Sequence, residues 1–110
     1  MKFLTRQEEL VLLSVYQLKD KAYLVSVQDH LTRFTGKEWS ISSVYIPLNR
    51  LEKRDYLKTT IGEVTEKRGG KVIKYYRLSK LGLKALAGLE AMNETMWRGV
   101  KGLVDKLETS

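Results

Sequence analysis

Ser40-Ile41-Ser42-Ser43-Val44-Tyr45-Ile46-Pro47-Leu48-Asn49-Arg50-Leu51 is the stretch that decides how the rest of the chain is read. Ile41, Val44, Leu48 and Leu51 recur at spacings of three, four and three, which makes one apolar stripe of a helix facing a core. Ser42, Ser43, Tyr45, Ile46, Asn49 and Lys53 take the other side. That side is hydrogen-bonding and uncharged at its start and turns basic at Arg50, Lys53 and Arg54. It suits a helix whose beginning reads an edge and whose end lies along phosphates. Pro47 deletes one backbone hydrogen bond, at a cost on the order of 3 kcal/mol in a regular helix interior, so a kink or an irregular first turn is expected. The helix is expected to stop near Asp55, because Asp tolerates the left-handed conformation better than most residues.

Upstream, Thr5 and Glu8 have the spacing of a capping box, opening a helix to Leu18 whose apolar surface (Leu10 to Leu13, Val15, Tyr16, Leu18) is wider than one stripe. Such a helix is covered on more than one side. A second helix is expected from about Ser26, as its cap, to Phe34, with Val27, Leu31 and Phe34 pointing inward and Gly36 closing it in a left-handed C-cap. Ser40 then caps the helix quoted above. Two helices, a short connection and a third give a helix-turn-helix.

Downstream, Tyr56 to Ile61 and Val72 to Leu78 are rich in β-branched and aromatic residues and flank a polar, glycine-bearing segment, which reads as a β-hairpin. Tyr75 and Tyr76 alternate faces, so at least one belongs to the core. Lys67, Arg68, Lys71 and Lys74 give the hairpin a basic edge. Such a run alone is an ordinary solvated loop; placed after a helix-turn-helix it reads as a wing. Ser79 caps a last helix that could continue to about Leu107, with Leu86, Leu89, Met96, Val100, Leu103 and Leu107 in one stripe and Met92 and Trp97 beside it. So small a domain cannot cover that stripe, and a partner helix is expected. Gly88, Gly99 and Gly102 each cost about 1 kcal/mol relative to Ala in a helix interior. The fold class is therefore mainly α with a small β-hairpin (α+β): a winged helix-turn-helix over residues 1–78 and a long dimerisation helix over residues 79–110. No internal repeat or low-complexity linker interrupts it.

The chain has 110 residues, enough for one domain with a small core, so a dimer interface is a natural way to bury more. Twenty basic residues against 13 acidic give a net charge of +7, doubled in a pair of chains. That excess points first to polyanions such as nucleic acid and second to anionic membrane surfaces. With no cysteine, a disulfide framework and a thiolate metal site are both ruled out. Leu10 to Tyr16 is the most apolar run and falls far short of the roughly 20 residues that span a bilayer, and Met1 to Glu9 lacks the apolar segment of a signal peptide. A soluble, cytoplasmic protein is expected. His30 stands alone and no carboxylates share metal-ligand or acid/base spacing, so neither a catalytic residue nor a metal or cofactor is implied.

Two motifs in this order resemble the PadR-like family of bacterial transcriptional regulators. One is Ser40-x-x-Ser43-Val44-Tyr45-x-x-Leu48-x-Arg50-Leu51-Glu52, followed by Tyr56-Leu57. The other is Gly69-Gly70-Lys71-x-x-Lys74-Tyr75-Tyr76-x-Leu78-Ser79-x-x-Gly82. Met96-Trp97-Arg98-Gly99 is similar to one branch of the family. The chain departs from the family pattern in having Asp55 where glycine is common, Leu24 where a glycine follows the early tyrosine, and its proline one position late, at Pro47. The resemblance implies a dimeric winged helix-turn-helix repressor whose last helix crosses onto the partner. Members with a single such helix include multidrug-sensing repressors. It places Ser43 and Tyr45 on the DNA side of the recognition helix and Lys71 and Lys74 on the wing.

The expected contacts divide by chemistry. Arg50, Lys53, Lys67, Arg68, Lys71 and Lys74 would neutralise phosphates, while Ser42, Ser43, Tyr45 and Asn49 would supply the hydrogen bonds that fix register. A homodimer would then bind a pseudo-palindromic stretch of double-stranded DNA. Tyr45 has an alternative role as a ring packed on the second helix. Met92, Met96, Trp97 and Val100 are expected at the dimer interface, where Trp97 is either an anchor or a wall on which a small planar aromatic effector stacks. The competing reading is a winged-helix protein-interaction adaptor without specific DNA binding, its basic face incidental.

Overall fold

The computed structural model describes residues 3–62, 72–100 and 102–109. Four helices, a hairpin and a short terminal helix follow one another: α1 (Arg6–Leu18), α2 (Leu24–Thr35), α3 (Ile41–Lys53), β1 (Leu57–Ile61), β2 (Lys74–Leu78), α4 (Lys80–Trp97) and α5 (Leu103–Thr109), with a 3-10 turn at Lys19–Lys21 after α1. The mainly helical α+β class and the winged helix-turn-helix order are those expected from the sequence.

Local chemistry explains most of the boundaries. The Thr5 hydroxyl accepts from the Glu8 N–H at 3.1 Å and the Glu8 carboxylate accepts from the Thr5 N–H at 2.8 Å, so the capping box closes in both directions. Gly36 ends α2 at φ 71 and Asp55 follows α3 at φ 64, both left-handed. Ser26 does not cap α2. The helix begins at Leu24 with Tyr23 as its N-cap, and Ser26, three residues on, accepts from the Tyr23 N–H at 2.8 Å. The same serine serves the reverse half of a capping box.

Val11, Leu12 and Val15 of α1 meet Ala22, Val27 and Leu31, Val44, Leu48 and Leu51 of α3, and Leu57 and Tyr76 of the hairpin in one core. Each fully buried aliphatic side chain there contributes about 1.5–3 kcal/mol. The strands pair antiparallel with Leu57 opposite Leu78 and Ile61 opposite Lys74. Tyr76 is the buried one of the tyrosine pair and its N–H donates to the Ala22 carbonyl at 2.8 Å, which docks β2 against the start of α2. Tyr75 sits half-buried, edge-on to Tyr23 with ring centroids 5.6 Å apart.

Two residues assigned to the core stripe lie outside it. Ile41 is 47% exposed and Phe34 is 69% exposed. Ile41 is the first residue of α3 and Phe34 the penultimate one of α2, so each sits at a helix end, outside the clustered core. Pro47 interrupts nothing: α3 is continuous across it and its ring is buried beside Val44, Leu48 and Leu51, although the Pro47-to-Ser43 bond of a regular helix is missing.

A single serine ties α3 to α4. The Ser79 hydroxyl donates to the Asp55 carbonyl and accepts from the Gly82 N–H at 3.0 Å, while the Ser79 N–H donates to the Tyr56 carbonyl at 3.0 Å. Gly82 is buried against Tyr56. Ala85 and Leu86 pack on the core and Asn93 still bonds to α1, after which α4 is exposed from Glu94 onward. The last helix does not run unbroken to Leu107: α4 ends at Trp97, Gly99 and Gly102 adopt φ 80 and φ 93, and α5 restarts at Leu103. The glycine cost noted from the sequence is resolved here as a break. The radius of gyration is 16.5 Å, against about 13 Å for a compact chain of this length. The described residues from Glu94 onward are all exposed.

Candidate nucleic-acid interface

The exposed face of α3 follows from its capped start. Ser40 accepts from the Ser43 N–H at 3.1 Å, and the Ser43 hydroxyl donates back to the Ser40 carbonyl at 2.7 Å. Ser43 is thus occupied in building the first turn, while Ser42 is exposed with its hydroxyl 3.3 Å from that of Ser40. With 3.6 residues per turn, Ser42, Ile46, Asn49 and Lys53 fall within about 60° of one another, opposite Val44, Pro47, Leu48 and Leu51. Tyr45, half exposed, and Arg50, fully on the surface, border that strip. The polar and basic residues expected on one side of the helix are therefore together there, with Ile46 among them.

The wing meets α3 through one carboxylate. Glu52 accepts from Lys74 of β2 at 2.8 Å with one oxygen and from the Thr59 hydroxyl of β1 at 3.4 Å with the other. The Lys74 ammonium also lies 5.4 Å from the Tyr76 ring centroid. The hydrogen bond to Glu52 holds the Lys74 amine above the usual lysine range, and burial raises the Tyr76 phenol. Lys74 is therefore on the wing as expected, but held against α3. Among the described residues the other ion pairs are Arg6 with Glu9 and Arg54 with Glu8; Arg50 and Lys53 take part in none. Lys67, Arg68 and Lys71 lie outside the described residues.

Between the start of α2, α3 and the wing lies an open, mainly apolar recess of about 480 Å³, lined by Tyr23, Leu24, Val25, Tyr45, Val72, Ile73, Lys74 and Tyr76. Tyr45 faces this recess and stays half exposed, so it is not a core ring. The α2 contribution was not legible in the sequence. Its one signal was Tyr23-Leu24-Val25 standing where a helix starts next to an aromatic strand.

Toward its end, α4 exposes Met96 and Trp97 at 72% and 56%, with Val100 at 36% in the turn that follows, while Met92, 38% exposed, shares a recess with Phe3, Leu4 and Tyr56. Asn93 donates to Glu9 at 3.1 Å and fastens the C-terminal half of α4 to α1. Glu8, next to it, is 1% exposed and its second oxygen lies 3.4 Å from the Arg54 guanidinium at the end of α3. The pair is close, but neither of those two atoms makes a hydrogen bond, so it is an ionic contact alone. Among the described residues there is no cluster of three metal-ligating side chains, and no helix is long and apolar enough to cross a membrane.

No family model and no curated protein sequence matches the chain. Solved structures do. A PadR family transcriptional regulator from Eggerthella lenta is 29% identical, with 90% of this chain and 84% of that one aligned at a TM-score of 0.68. A PadR-like transcription factor from Bacteroides fragilis is 25% identical, with coverage of 91% and 87% and a TM-score of 0.67. A PadR-like transcriptional regulator from Bacillus cereus shares the fold at 22% identity, with coverage of 94% and 91% and a TM-score of 0.66. These structural neighbours are transcriptional regulators, not enzymes.

Proposed function

We propose that this PadR-like chain is a sequence-specific DNA-binding transcriptional regulator, acting as a homodimer and repressing the genes it controls. The observation that carries the reading is the strip of exposed Ser42 and Lys53 with half-buried Asn49 between them, bordered by Tyr45 and Arg50, on a helix whose opposite face, Val44, Pro47, Leu48 and Leu51, is buried and whose end is braced by a wing. Arg50 and Lys53 have no acidic partner among the described residues and are available to phosphates. Ser42, Tyr45 and Asn49 then meet base edges or fix register. The wing's Lys67, Arg68 and Lys71 add phosphate contacts in this reading. Residues 79–110 form the dimerisation segment, supported by the uncovered apolar side chains of α4. A two-fold pair would read half-sites about one helical turn apart. A planar aromatic molecule stacked on Trp97 between paired segments would act as the releasing effector.

Selection of bound duplex from a random pool, followed by gel shift across a salt series, tests the proposal. The expected result is one preferred, pseudo-palindromic sequence, affinity falling steeply with salt, and weaker binding after Arg50→Ala or Lys53→Ala with each lost phosphate contact flattening the salt slope by about 0.9. Binding with no sequence preference that is indifferent to Arg50→Ala would overturn it and favour the adaptor.

A further inference from the structure

We infer that Glu52 is a specificity-determining positioning residue of the DNA interface, strapping both strands of the wing to the recognition helix and withholding Lys74 from phosphate. The inference rests on the DNA-binding reading and goes beyond it, since charge alone assigns Lys74 to the DNA.

The geometry argues for the strap in three steps. Glu52 stands on α3 one turn beyond Asn49, and its two oxygens reach two different strands, Thr59 on β1 and Lys74 on β2. Thr59 is the cross-strand partner of Tyr76, and Lys74 pairs with Ile61, so the two contacts are staggered along the hairpin and resist both its twist and its tilt against α3. The Tyr76 ring, buried in the core, gives the same ammonium a second hold at 5.4 Å.

Electrostatics keeps the strap closed on DNA. If Lys74 swung to a phosphate, it would leave the Glu52 carboxylate, 31% exposed, facing an anionic backbone with no cation beside it. Attraction gained by the lysine would be opposed by repulsion of the glutamate. Held together, the two present almost no net charge, and the wing angle is set by the protein instead of by whichever duplex is bound. A wing fixed in this way rejects duplexes whose backbone does not run where it lies, which is discrimination without a base contact. A wing freed from α3 would follow any backbone, with one more cation to hold it.

The test is a salt series on a random-sequence duplex and on the duplex selected by the wild type, for wild type, Glu52→Gln, Lys74→Gln and the double variant. Each variant is first checked for an unchanged cooperative thermal transition. Glu52→Gln is expected to steepen the salt slope on random duplex by about 0.9 per protomer, equivalent to about a 3-fold change in relative affinity between 50 and 200 mM salt. Lys74→Gln, which leaves the Glu52 carboxylate without its cation, is expected to bind more weakly with a slope no steeper than the wild type's, and the double variant, which removes both charges, to keep the wild-type slope. The selected-to-random affinity ratio is expected to fall in both single variants. A structural role alone would move the thermal transition and leave the slopes alone. A slope flatter than the wild type's in the double variant, or a wild-type slope and ratio in Glu52→Gln, would overturn this inference while leaving DNA binding intact. Failure of the wild type to bind any duplex would overturn both readings.

Discussion

Gly82→Ala replaces the poorest helix former after proline with the best, inside α4, and should still destabilise the protein. Propensity favours alanine there by up to about 1 kcal/mol. The opposing effect comes from contact with a fixed backbone. A Cβ on Gly82 would approach the Tyr56 carbonyl oxygen to under 3.0 Å, with the Tyr56 carbonyl carbon at 3.2 Å and Leu78 Cγ at 3.3 Å. That carbonyl cannot step aside, because it accepts from the Ser79 N–H at 3.0 Å and its own residue's N–H donates to Leu51 at 2.9 Å. Relief requires α4 to move outward, which stretches the bonds Ser79 makes to Asp55 and to the Gly82 N–H. Overpacking of this kind costs about 1–3 kcal/mol. A weakened cap adds about 1 kcal/mol. After subtracting the propensity gain, a net loss of about 2 kcal/mol remains, which is a fall in Tm of roughly 8 °C or more for a domain of this size. Thermal unfolding followed by circular dichroism, at one fixed protein concentration because association would shift the midpoint, reads it. Gly36→Ala is the contrast: its φ is 71 but nothing lies within 4 Å of an added Cβ, so only conformational strain of about 1–2 kcal/mol applies. A Gly82→Ala protein as stable as wild type would refute the close packing of α4 on Tyr56.

Glu8→Ala should cost about 2–3 kcal/mol, roughly 1 from the lost capping bond and the rest from leaving Arg54 without its buried partner, discounted because the arginine is partly exposed. Glu8→Gln keeps an oxygen for the Thr5 N–H and should lose only part of this; urea unfolding compares the two, and equal losses would mean that the cap contributes nothing. His30, hydrogen-bonded to Gln17 and in tilted ring contact with Phe34, is held below its ordinary value of 6.5 by burial first and by the Arg33 charge second. The unfolded chain therefore takes up the proton at higher pH than the folded one, so this contribution is full above about pH 6.5 and is lost as pH falls through the lowered value. The fall in Tm on acidification in that window should be smaller in His30→Gln, and an identical pH dependence would refute the assignment.

Much of the fold was legible because it is decided within a few residues. Thr5, Ser40 and Ser79 announce their helices, Gly36 and Asp55 end theirs, and Val44, Leu48 and Leu51 reveal the buried face by spacing alone. Helix periodicity says which way a side chain points but not where the neighbouring element stops, and that is why Ile41 and Phe34 were placed in a core that does not extend to them. Glycines at 99 and 102 signal a weak helix, but only the backbone angles turn weakness into a break. The site was legible to the extent that it lies on α3. Glu52 stood in the first motif but nothing local gave its role, since its partner is 22 residues away and a carboxylate near the end of a helix reads as surface.

The Ser79 junction has a consequence for the spacing of any site that two copies could read. It sets the angle between the helix that would face DNA and the helix that would face the partner, and α4, with 18 residues, is a rod of about 27 Å. Over that length a hinge error of about 5° displaces the far end by roughly 2 Å, which approaches the rise of one base pair. A hydroxyl and an absent methyl group at the base of the rod would thus act as a gauge in a pair of chains: the distance between the two α3 helices would be calibrated by parts that touch neither DNA nor partner.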